Sequence, residues 1–420
     1  MPETFDFTQL VAPTAPDAAA RFAGLPKFPF VGGHNDPEQV PVEALAAAAA
    51  AVIAREGAHL AKYNLGLGPL GVPALRQCVV DKVARRRGIE TSIDEVLITS
   101  GSNQAIDFIC RVLLTPGDVV MAEEYCYEGA LNRFRGAGAT IVPMAIDRDG
   151  IVVEALAAQF DEMAVRGVRP KFIYTIPTVQ NPTGSVMPAD RRHGLIALAR
   201  RTGVAIVEDD CYADLVWPSE GQVPALKALA PERVIHIGSF SKSFAPAVRL
   251  GYLIAPWSVM SRVLPAKTDA GTGALDQLVV AEYLTRHPDD LIERLRSVLH
   301  AKMKVMLNAI EREFGTTAEC WVPKGGIFIW LKLPDHVDVR ALIGPAEKEG
   351  LVFNPGPSWA VSAEEARSFM RLCFALPTET QIVEGVATLA RVCFDVTGLP
   401  AIAGNRRQTA PAAQHRAASR

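Results

Sequence analysis

The sequence predicts an α/β protein with a large domain built on a mostly parallel, doubly wound sheet and a smaller α+β domain. The middle of the chain alternates short β-branched runs, each bounded by Gly, Pro or Asp, with helix-compatible stretches of roughly 10 to 20 residues. This alternation is typical of parallel strands that are joined by helices. At 420 residues the chain also exceeds the size at which one hydrophobic core usually stops growing, which favours two domains around a cleft.

Nine short runs are predicted as strands. In the large domain they cover residues 96–99, 119–122, 140–142, 172–175, 204–207 and 234–237. In the small domain they cover residues 326–333, 352–354 and 371–375. Because ligands of doubly wound sheets bind beyond the carboxyl ends of the strands, the residues that directly follow each run are candidate site residues.

The chain divides into four predicted regions. Residues 1–30 are rich in Pro and Ala without periodicity, which predicts an N-terminal arm. The large domain is predicted over residues 44–290, and a long amphipathic helix then leads into the small domain, which residues 31–43 and 291–398 form together. Residues 399–420 are mostly polar and basic with no apolar face, which predicts a disordered tail.

The composition argues against several classes of protein. The formal charge of -3 is mixed along the chain and offers no attraction to nucleic acid or to an anionic membrane. The longest apolar run, residues 44–54, is far shorter than the roughly 20 residues of a membrane span, and the N-terminus lacks the apolar core of a leader. Seven scattered cysteines without a CxxC pair predict a reducing, cytoplasmic location. The eight histidines show no metal-ligand spacing, so no metal site is expected.

One lysine stands in a segment with the chemistry for holding a phosphorylated aldehyde. Ser239 and Ser241 precede Lys242, and Arg249 follows it. A lysine amine can condense with the aldehyde, while the hydroxyls and the guanidinium bind the phosphate of the same molecule. A neighbouring cation and partial desolvation would lower the pKa of Lys242 enough to free its amine.

This segment is part of a longer resemblance to a known family. From about residue 28 to about residue 395, the chain resembles the class I/II aminotransferases, which are fold type I enzymes that use pyridoxal 5′-phosphate. It is most similar to the branch that acts on aminoadipate, aromatic and branched-chain amino acids. The resemblance implies this cofactor, small-molecule amino acid and 2-oxo acid substrates, and a homodimer with a shared active site.

The resemblance also implies which residues bind the phosphate. The matching residues in this chain are Ser102, Asn103, Ser239, Ser241 and Arg249. Ser102 and Asn103 begin a predicted helix, whose free N–H groups and dipole favour an anion. Asn103 stands where glutamine is common in the family. Tyr63 matches the family's tyrosine that reaches the phosphate of the neighbouring subunit.

The resemblance also implies which residues contact the ring of the cofactor. Tyr127 matches the aromatic residue that stacks on the pyridine ring, and Asn181 and Tyr212 match the ligands of its phenolate oxygen. Asp209 matches the acid that keeps the pyridine nitrogen protonated, which makes the ring an electron sink. We choose Asp209 over Asp210 because its three-residue step to Tyr212 matches the family. The predicted catalytic residues are Lys242, Asp209 and Tyr212.

Three residues are predicted to bind the substrate. Arg371 lies on a predicted strand, where an unpaired guanidinium is costly, and it matches the family's ligand of the substrate α-carboxylate. The alternative for Arg371 is a structural ion pair with one of the chain's acids. Gly33 belongs to a glycine loop over the substrate, where the backbone must approach closely, and Asn181 is the third residue. Arg21 on the arm is a further hypothesis, as a ligand of a distal carboxylate.

Three further departures from the family pattern affect loops around the site. Tyr125 replaces a proline and is predicted to reshape the loop that leads to Tyr127. Ala247 replaces a glycine, and residues 272–274 replace a serine-rich loop, which predicts fewer phosphate contacts from that loop.

The ordered set of motifs predicts an aminotransferase. It would move the amino group of an L-amino acid to 2-oxoglutarate or pyruvate by a ping-pong mechanism through a Schiff base on Lys242. The alternative on the same scaffold is a lyase, racemase or decarboxylase, because the bond that breaks depends on which substituent stands perpendicular to the ring. A remote alternative is the effector-sensing domain of a transcriptional regulator, although the roughly 30 residues before the motifs are too few for a DNA-binding domain.

Overall fold

The computed structural model describes residues 5–13, 15, 18–19, 21–22 and 24–400. Within them the chain forms a seven-stranded sheet, a five-stranded sheet and a two-stranded ribbon. The tail predicted over residues 399–420 lies, beyond Pro400, outside the described residues.

Fourteen strands are present in the described part of the chain. The first seven are β1 (Phe28–Phe30), β2 (Val96–Thr99), β3 (Val119–Glu123), β4 (Thr140–Met144), β5 (Ile146–Asp147), β6 (Gly150–Ile151) and β7 (Phe172–Thr175). The others are β8 (Ala205–Asp209), β9 (Val234–Ser239), β10 (Gly251–Ile254), β11 (Glu319–Trp321), β12 (Phe328–Lys332), β13 (Leu351–Pro355) and β14 (Phe369–Cys373). All nine predicted strands are confirmed, with ends shifted by at most two residues.

Twelve α-helices connect and cover these strands in the same described ranges. The first six are α1 (Val42–Glu56), α2 (Pro73–Arg87), α3 (Ser102–Leu113), α4 (Glu128–Gly136), α5 (Val153–Val165) and α6 (Ala189–Thr202). The others are α7 (Leu226–Leu229), α8 (Trp257–Ala266), α9 (Ala274–Arg286), α10 (Asp290–Phe314), α11 (Ile343–Lys348) and α12 (Glu379–Thr397). The long helix predicted to lead into the small domain is α10.

The seven-stranded sheet has the order β2-β10-β9-β8-β7-β3-β4. Its strands are parallel except β10, which runs antiparallel to both β2 and β9. The prediction of a mostly parallel sheet is confirmed, but β10 was not predicted. This strand follows the Lys242 segment without an intervening α-helix, so the alternation of strands and helices does not reveal it.

Strand β7 shows why the central strands are apolar on both faces. Phe172 and Tyr174 pack edge-on against Phe134 of α4, with ring centroids 5.7 and 5.3 Å apart. Ile173, between them, joins a second cluster with residues of α5 and α6 such as Leu195. Because successive side chains of a strand point to opposite faces, helices on both faces require a continuous apolar run.

The five-stranded sheet has the order β1-β13-β14-β12-β11 and is antiparallel apart from the parallel pair β1 and β13. Strand β1 lies in the region predicted as an arm, but it belongs to the five-stranded sheet. The other domain boundaries remain predictions. Helices α10 and α12 pack together beside this sheet, and a capping box between Thr378 and Gln381 begins α12.

The carboxyl ends of three neighbouring parallel strands gather candidate residues at one edge of the large sheet. Asn181 follows β7, Asp209 is the last residue of β8, and Ser239 is the last residue of β9. Neighbouring parallel strands end at the same edge, so residues far apart in sequence meet there.

The first helix is unusual for its apolar, poorly buried surface. In the described residues one helical stretch, Val42–Ala61, has the length and composition of a membrane span, with a mean hydropathy of 1.3. It is longer than the apolar run at residues 44–54 that the sequence indicates. The core helix of a soluble protein can have the same length and composition, but only Ala48 and Val52 of α1 are fully buried. The other residues of α1 are at least partly exposed.

Candidate active site

A cavity of about 320 Å³ opens at the carboxyl ends of β7, β8 and β9. Twelve of its lining residues were predicted from the sequence: Gly33, Ser102, Asn103, Tyr127, Asn181, Asp209, Tyr212, Ser239, Ser241, Lys242, Arg249 and Arg371. The other lining residues are Gly32, Glu128, Ile176, Cys211, Asn354 and Trp359. Arg371 and Asn354 belong to the five-stranded sheet, so both sheets contribute to the cavity.

Lys242 points into this cavity from the segment after β9. Its Nζ donates a hydrogen bond to the carbonyl oxygen of Gly33 at 2.6 Å. A Cβ atom at position 33 would collide with Nζ, so a larger residue there would displace the Lys242 amine from this position. Burial, together with the nearby Arg371 and Arg249, lowers the pKa of Lys242 to about 8. A large fraction of the amine is therefore neutral slightly above neutral pH.

The end of the cavity beside α3 is built for an anion. Helix α3 begins after Gly101, which has a φ of 79° and offers no side-chain cap, so the first N–H groups of the helix are free of a capping side chain. Ser239 and Ser241 line the same end, where the N–H of Ser241 donates to Ser239 Oγ at 3.0 Å. The Arg249 guanidinium lies against Gly101. Hydroxyls, helix amides and a guanidinium are together typical of a phosphate site.

The two neighbouring acids after β8 have different surroundings. Asp209 lines the cavity and accepts a hydrogen bond from the Tyr174 hydroxyl at 2.6 Å. Asp210 instead pairs with Arg87, whose Nε lies 2.6 Å from its carboxylate. Burial raises the pKa of Asp209, the neighbouring Asp210 adds to the shift, and no cation of the described residues forms an ion pair with Asp209. A cation bound beside Asp209 would favour its ionised form.

Two tyrosines frame the middle of the cavity. The Tyr127 hydroxyl donates to Asn103 Oδ1 at 3.1 Å, and its ring lies 5.9 Å from that of Trp359. Tyr212 packs edge-on against Phe328 at 5.2 Å, and Lys242 Nζ lies 5.9 Å from the Tyr212 ring centroid. Burial raises the pKa of both tyrosines, so both hydroxyls remain protonated and can donate hydrogen bonds.

Arg371 is buried on β14 in the small sheet. Its Nη1 donates to Asn181 Oδ1 at 3.0 Å, and its Nη2 donates to Asn354 Oδ1 at 2.8 Å and to the Gly32 carbonyl at 3.1 Å. The guanidinium lies 3.6 Å from the ring centroid of Trp359. Among the described residues it forms no ion pair, and its buried Nε has no hydrogen-bond partner. The alternative of a structural ion pair is therefore not found in the described part of the chain.

The arrangement fits pyridoxal 5′-phosphate at each of its polar groups. The anion end offers donors for the phosphate, Lys242 is a nucleophile for the aldehyde, and Asp209 is an acid without a cation. Asn181 accepts from Arg371 through Oδ1, which leaves its N–H₂ group available as a donor for a phenolate oxygen. The cavity therefore offers donors that suit a phosphate and, at Arg371, a guanidinium that suits a carboxylate.

Tyr63 and Arg21 do not line this cavity in their own chain. Tyr63 is 84% exposed and precedes Asn64 and Leu65, which both have positive φ angles. Arg21 is also exposed. A contact of either side chain with the site would require a second copy of the chain. Tyr125, which departs from the family pattern, packs its ring on Trp330 and Phe369 of the small sheet, 5.6 and 5.1 Å away.

Beneath the site, three buried groups lie close enough together to resemble a metal site: Glu208, Asp210 and His236. Glu208 already accepts hydrogen bonds from two backbone N–H groups at the start of α7, at 2.7 and 3.0 Å. Burial would raise its pKa, but His236 and Arg87 help to lower it to about 2. Since Arg87 also holds Asp210, the cluster is an ion-pair network that supports the end of β8.

The sequence did not identify three polar or charged groups of the cavity wall. Asn354 ends a predicted strand, Glu128 follows Tyr127, and Cys211 lies between Asp210 and Tyr212. In the sequence, only their positions beside a predicted strand or a predicted site residue pointed to them. Whether they face the cavity depends on how β13 and α4 are placed, and a motif does not specify this.

Comparisons with known proteins agree with this geometry. The family model for aminotransferase class I and II matches residues 33–389. The 2-aminoadipate transaminase of Thermus thermophilus is 34% identical over 86% of this chain and 89% of its own length. The aromatic-amino-acid aminotransferase 1 of Thermococcus litoralis is 32% identical, over 86% of each chain.

A solved structure supports the same relationship. The α-aminoadipate aminotransferase of Thermus thermophilus, complexed with N-(5′-phosphopyridoxyl)-L-leucine, matches with a TM-score of 0.81 at 33% identity. The match covers 88% of this chain and 92% of that chain. Transcriptional regulators also match, at 28 to 31% identity, but the relatives at 32% and above are named aminotransferases, which favours the enzyme.

Proposed function

Because this chain belongs to the class I and II aminotransferases and depends on pyridoxal 5′-phosphate, we propose that it moves an amino group between L-amino acids and either 2-oxoglutarate or pyruvate by ping-pong exchange. The bound cofactor supplies an electron sink for the substrate α-carbon and carries the nitrogen between the two half-reactions. The chain's own residues bind both molecules, orient them and move the proton. The relatives do not favour the lyase, racemase or decarboxylase alternative.

Lys242 is proposed to transfer the proton. Its amine lies on the cavity wall between the anion end and Arg371, and its pKa of about 8 leaves a neutral fraction near physiological pH. A general base works best when its pKa lies near the operating pH. Tyr212 and Asn181 are proposed as donors to the phenolate oxygen, Asp209 as the partner of the ring nitrogen and Tyr127 as the surface on which the ring stacks.

The observation that carries the proposal is the uncompensated charge of Arg371. Its guanidinium is buried, lies on an indole face and has only amide and carbonyl oxygens as partners in the described residues. A buried charge without a counter-ion is expensive, and a substrate carboxylate would supply that counter-ion through two parallel hydrogen bonds. Asn181 and Asn354 fix the plane of the fork before the substrate binds.

Replacing Arg371 with Gln is expected to lower kcat/KM for an amino acid by roughly 10²- to 10³-fold, because a buried charge-assisted pair is lost. The measurement is the rate of the first half-reaction at varied amino acid concentration, followed by the change in visible absorption. Arg371→Lys, which keeps the charge without the fork, should recover only part of the loss. An unchanged kcat/KM in a folded Arg371→Gln variant would contradict the assignment.

The cavity wall favours one class of amino donor. The cavity wall includes the apolar or aromatic side chains of Tyr127, Ile176 and Trp359. Such a wall suits a donor with an apolar or aromatic side chain. The relative that is named for aromatic amino acids supports the same range, whereas 2-aminoadipate, for which the other relative is named, carries a second carboxylate. A panel of L-amino acids assayed against 2-oxoglutarate and against pyruvate, with half-reaction spectra, would rank them.

We also propose a homodimer with a shared active site. Helix α1 and the segment after it expose Val42, Ile53, Leu60, Tyr63 and Leu67. An exposed apolar surface of this kind marks an interaction site, and a second copy of this chain is the occupant that we propose. The same surface accounts for the apolar stretch Val42–Ala61 without a membrane.

The surface that bears Tyr63 adjoins the anion end of the cavity. Asn64, next to Tyr63, packs against Gly271, and the Thr272 hydroxyl lies 3.4 Å from that of Ser100. The carbonyl of Ser100 in turn faces Arg249, at 3.4 Å. Each of these contacts leads from the exposed Tyr63 loop toward the phosphate donors. A partner copy seated on this surface would therefore bring its own tyrosine near the phosphate.

Sedimentation of the wild-type protein is expected to give twice the 45.2 kDa mass of one chain. Tyr63→Phe should remain a dimer but bind pyridoxal 5′-phosphate about tenfold more weakly, since one hydrogen bond to a charged group is lost. Spectroscopic titration of the cofactor-free protein measures this affinity. A wild-type monomer at micromolar concentration would refute the dimer, and an unchanged affinity of Tyr63→Phe would refute the role of Tyr63.

A further inference from the structure

Glu128 places a second carboxylate in the cavity wall. It is the first residue of α4, directly after Tyr127, and it is half-buried. Only two acids, Asp209 and Glu128, line the cavity among the residues that the structure describes. Asp209 is bound by the Tyr174 hydroxyl and is proposed to face the cofactor. Glu128 has no part in the chemistry described so far.

The Glu128 carboxylate has no hydrogen bond or ion pair with the described residues. Burial raises its pKa, and the positive charges of Arg371 and Arg135 oppose this shift. Arg135 donates to the carbonyls of Ala360 and Val361 rather than to Glu128. The start of a helix also favours a negative charge at Glu128. Glu128 is thus a carboxylate whose oxygens are available to a ligand.

The position of Glu128 relative to the other groups indicates which part of a ligand it meets. The proposed phosphate donors lie at or after the ends of strands of the large sheet, whereas Arg371 lies on a strand of the small sheet. With a substrate carboxylate at Arg371 and its nitrogen toward Lys242, the side chain is left with the rest of the wall. Ile176, Trp359 and Glu128 line the cavity and have no proposed role at the phosphate, the aldehyde or the cofactor ring. Because the charge of Arg371 acts on Glu128, the Glu128 carboxylate lies within electrostatic reach of a substrate that is bound at Arg371.

We propose that Glu128 determines specificity by disfavouring substrates with a second carboxylate and favouring those with a neutral or cationic side chain. The proposal rests on the proposed function, because it requires Arg371 to bind the carboxylate that all substrates share. Glu128 repels a second carboxylate and attracts a distal cation across the same cavity. Of the two acceptors left open above, it selects pyruvate over 2-oxoglutarate.

Three unreactive ligands of similar length test the charge preference in the cofactor-loaded enzyme. Pentanoate ends in a methyl group, glutarate ends in a second carboxylate, and 4-(trimethylammonio)butanoate ends in a quaternary cation that cannot condense with an aldehyde. Isothermal titration calorimetry gives the Kd of each for the wild type and for Glu128→Gln. Glu128→Gln keeps the size of the side chain and removes only its charge.

In the wild type, glutarate is expected to bind roughly tenfold more weakly than pentanoate, and the cationic ligand at least as tightly as pentanoate. Glu128→Gln should tighten glutarate by roughly tenfold and change pentanoate by less than about twofold. It should also raise kcat/KM for 2-oxoglutarate relative to pyruvate by a similar factor. A general effect on structure would shift all three ligands together.

Glu124→Gln is the matched control. Glu124 is also half-buried and lies four positions earlier, but it does not line the cavity, and its Oε1 accepts from the N–H of Ile146 at 3.0 Å. This variant changes the net charge equally and should leave the ratio of the ligands unchanged. If glutarate and pentanoate bind wild type and Glu128→Gln in the same ratio, the role of Glu128 is refuted. If Arg371→Gln leaves the binding of all three ligands unchanged, the shared carboxylate site is refuted instead.

Discussion

Replacing Lys242 with Ala is expected to lower turnover by about 10⁴-fold or more and to abolish the visible absorption of the covalently held cofactor. Two roles are lost together, since the same amine is proposed to hold the aldehyde and to move the substrate proton. The structure supports both roles, because Nζ is half-buried against the Gly33 carbonyl and has a pKa of about 8. Steady-state kinetics and the absorption spectrum measure the two losses separately.

Reduction with borohydride followed by peptide mapping provides a readout that does not depend on turnover. In the wild type the cofactor should be fixed to the peptide that contains Lys242, and in Lys242→Ala that modification should disappear. Adding a small primary amine should restore part of the lost proton transfer in the variant, since only the base is missing. A variant that retained both its spectrum and its turnover would contradict both roles.

The sequence identified the anion end of the site because its geometry is local. Ser239, Ser241, Lys242 and Arg249 lie within one short segment, and the turn before α3 is likewise continuous in sequence. The strands of the large sheet could also be predicted from the sequence, since burial on both faces produces apolar runs. Local patterns therefore sufficed wherever neighbouring residues define the feature.

Features that depend on packing between distant segments could not be predicted from local sequence patterns. Strand β10 completes the sheet between β2 and β9, and β1 joins the small sheet by pairing with β13, which lies near the other end of the chain. Glu128 enters the cavity only because α4 is placed beside residues 359–361. Similarly, the partners of Arg371 come from three separate segments, so the sequence could leave open a structural ion pair that the described residues do not contain.

A network that the sequence did not reveal adds support to the choice of Asp209 over Asp210. Arg87 binds Asp210 through Nε and Nη2 at 2.6 and 3.3 Å and also donates to Thr178, in the segment that leads to Asn181. Because Asp210 is used in this way, it is directed away from the cavity. The adjacent Asp209 is then held toward the cavity by Tyr174. One acid therefore supports the structure, while the other is left for the cofactor.

Replacing Asp209 with Asn is accordingly expected to slow the removal of the substrate α-proton by roughly 10²- to 10³-fold, because a buried charge partner of the cofactor ring is lost. Exchange of the α-proton with deuterated solvent, followed by NMR, measures this step apart from product release. Asp210→Asn is the matched control: it should instead lower the free energy of unfolding by about 3 to 5 kcal/mol, since Arg87 loses its buried counter-ion. If Asp210→Asn slowed proton exchange more than Asp209→Asn in folded proteins, the two assignments would have to be reversed.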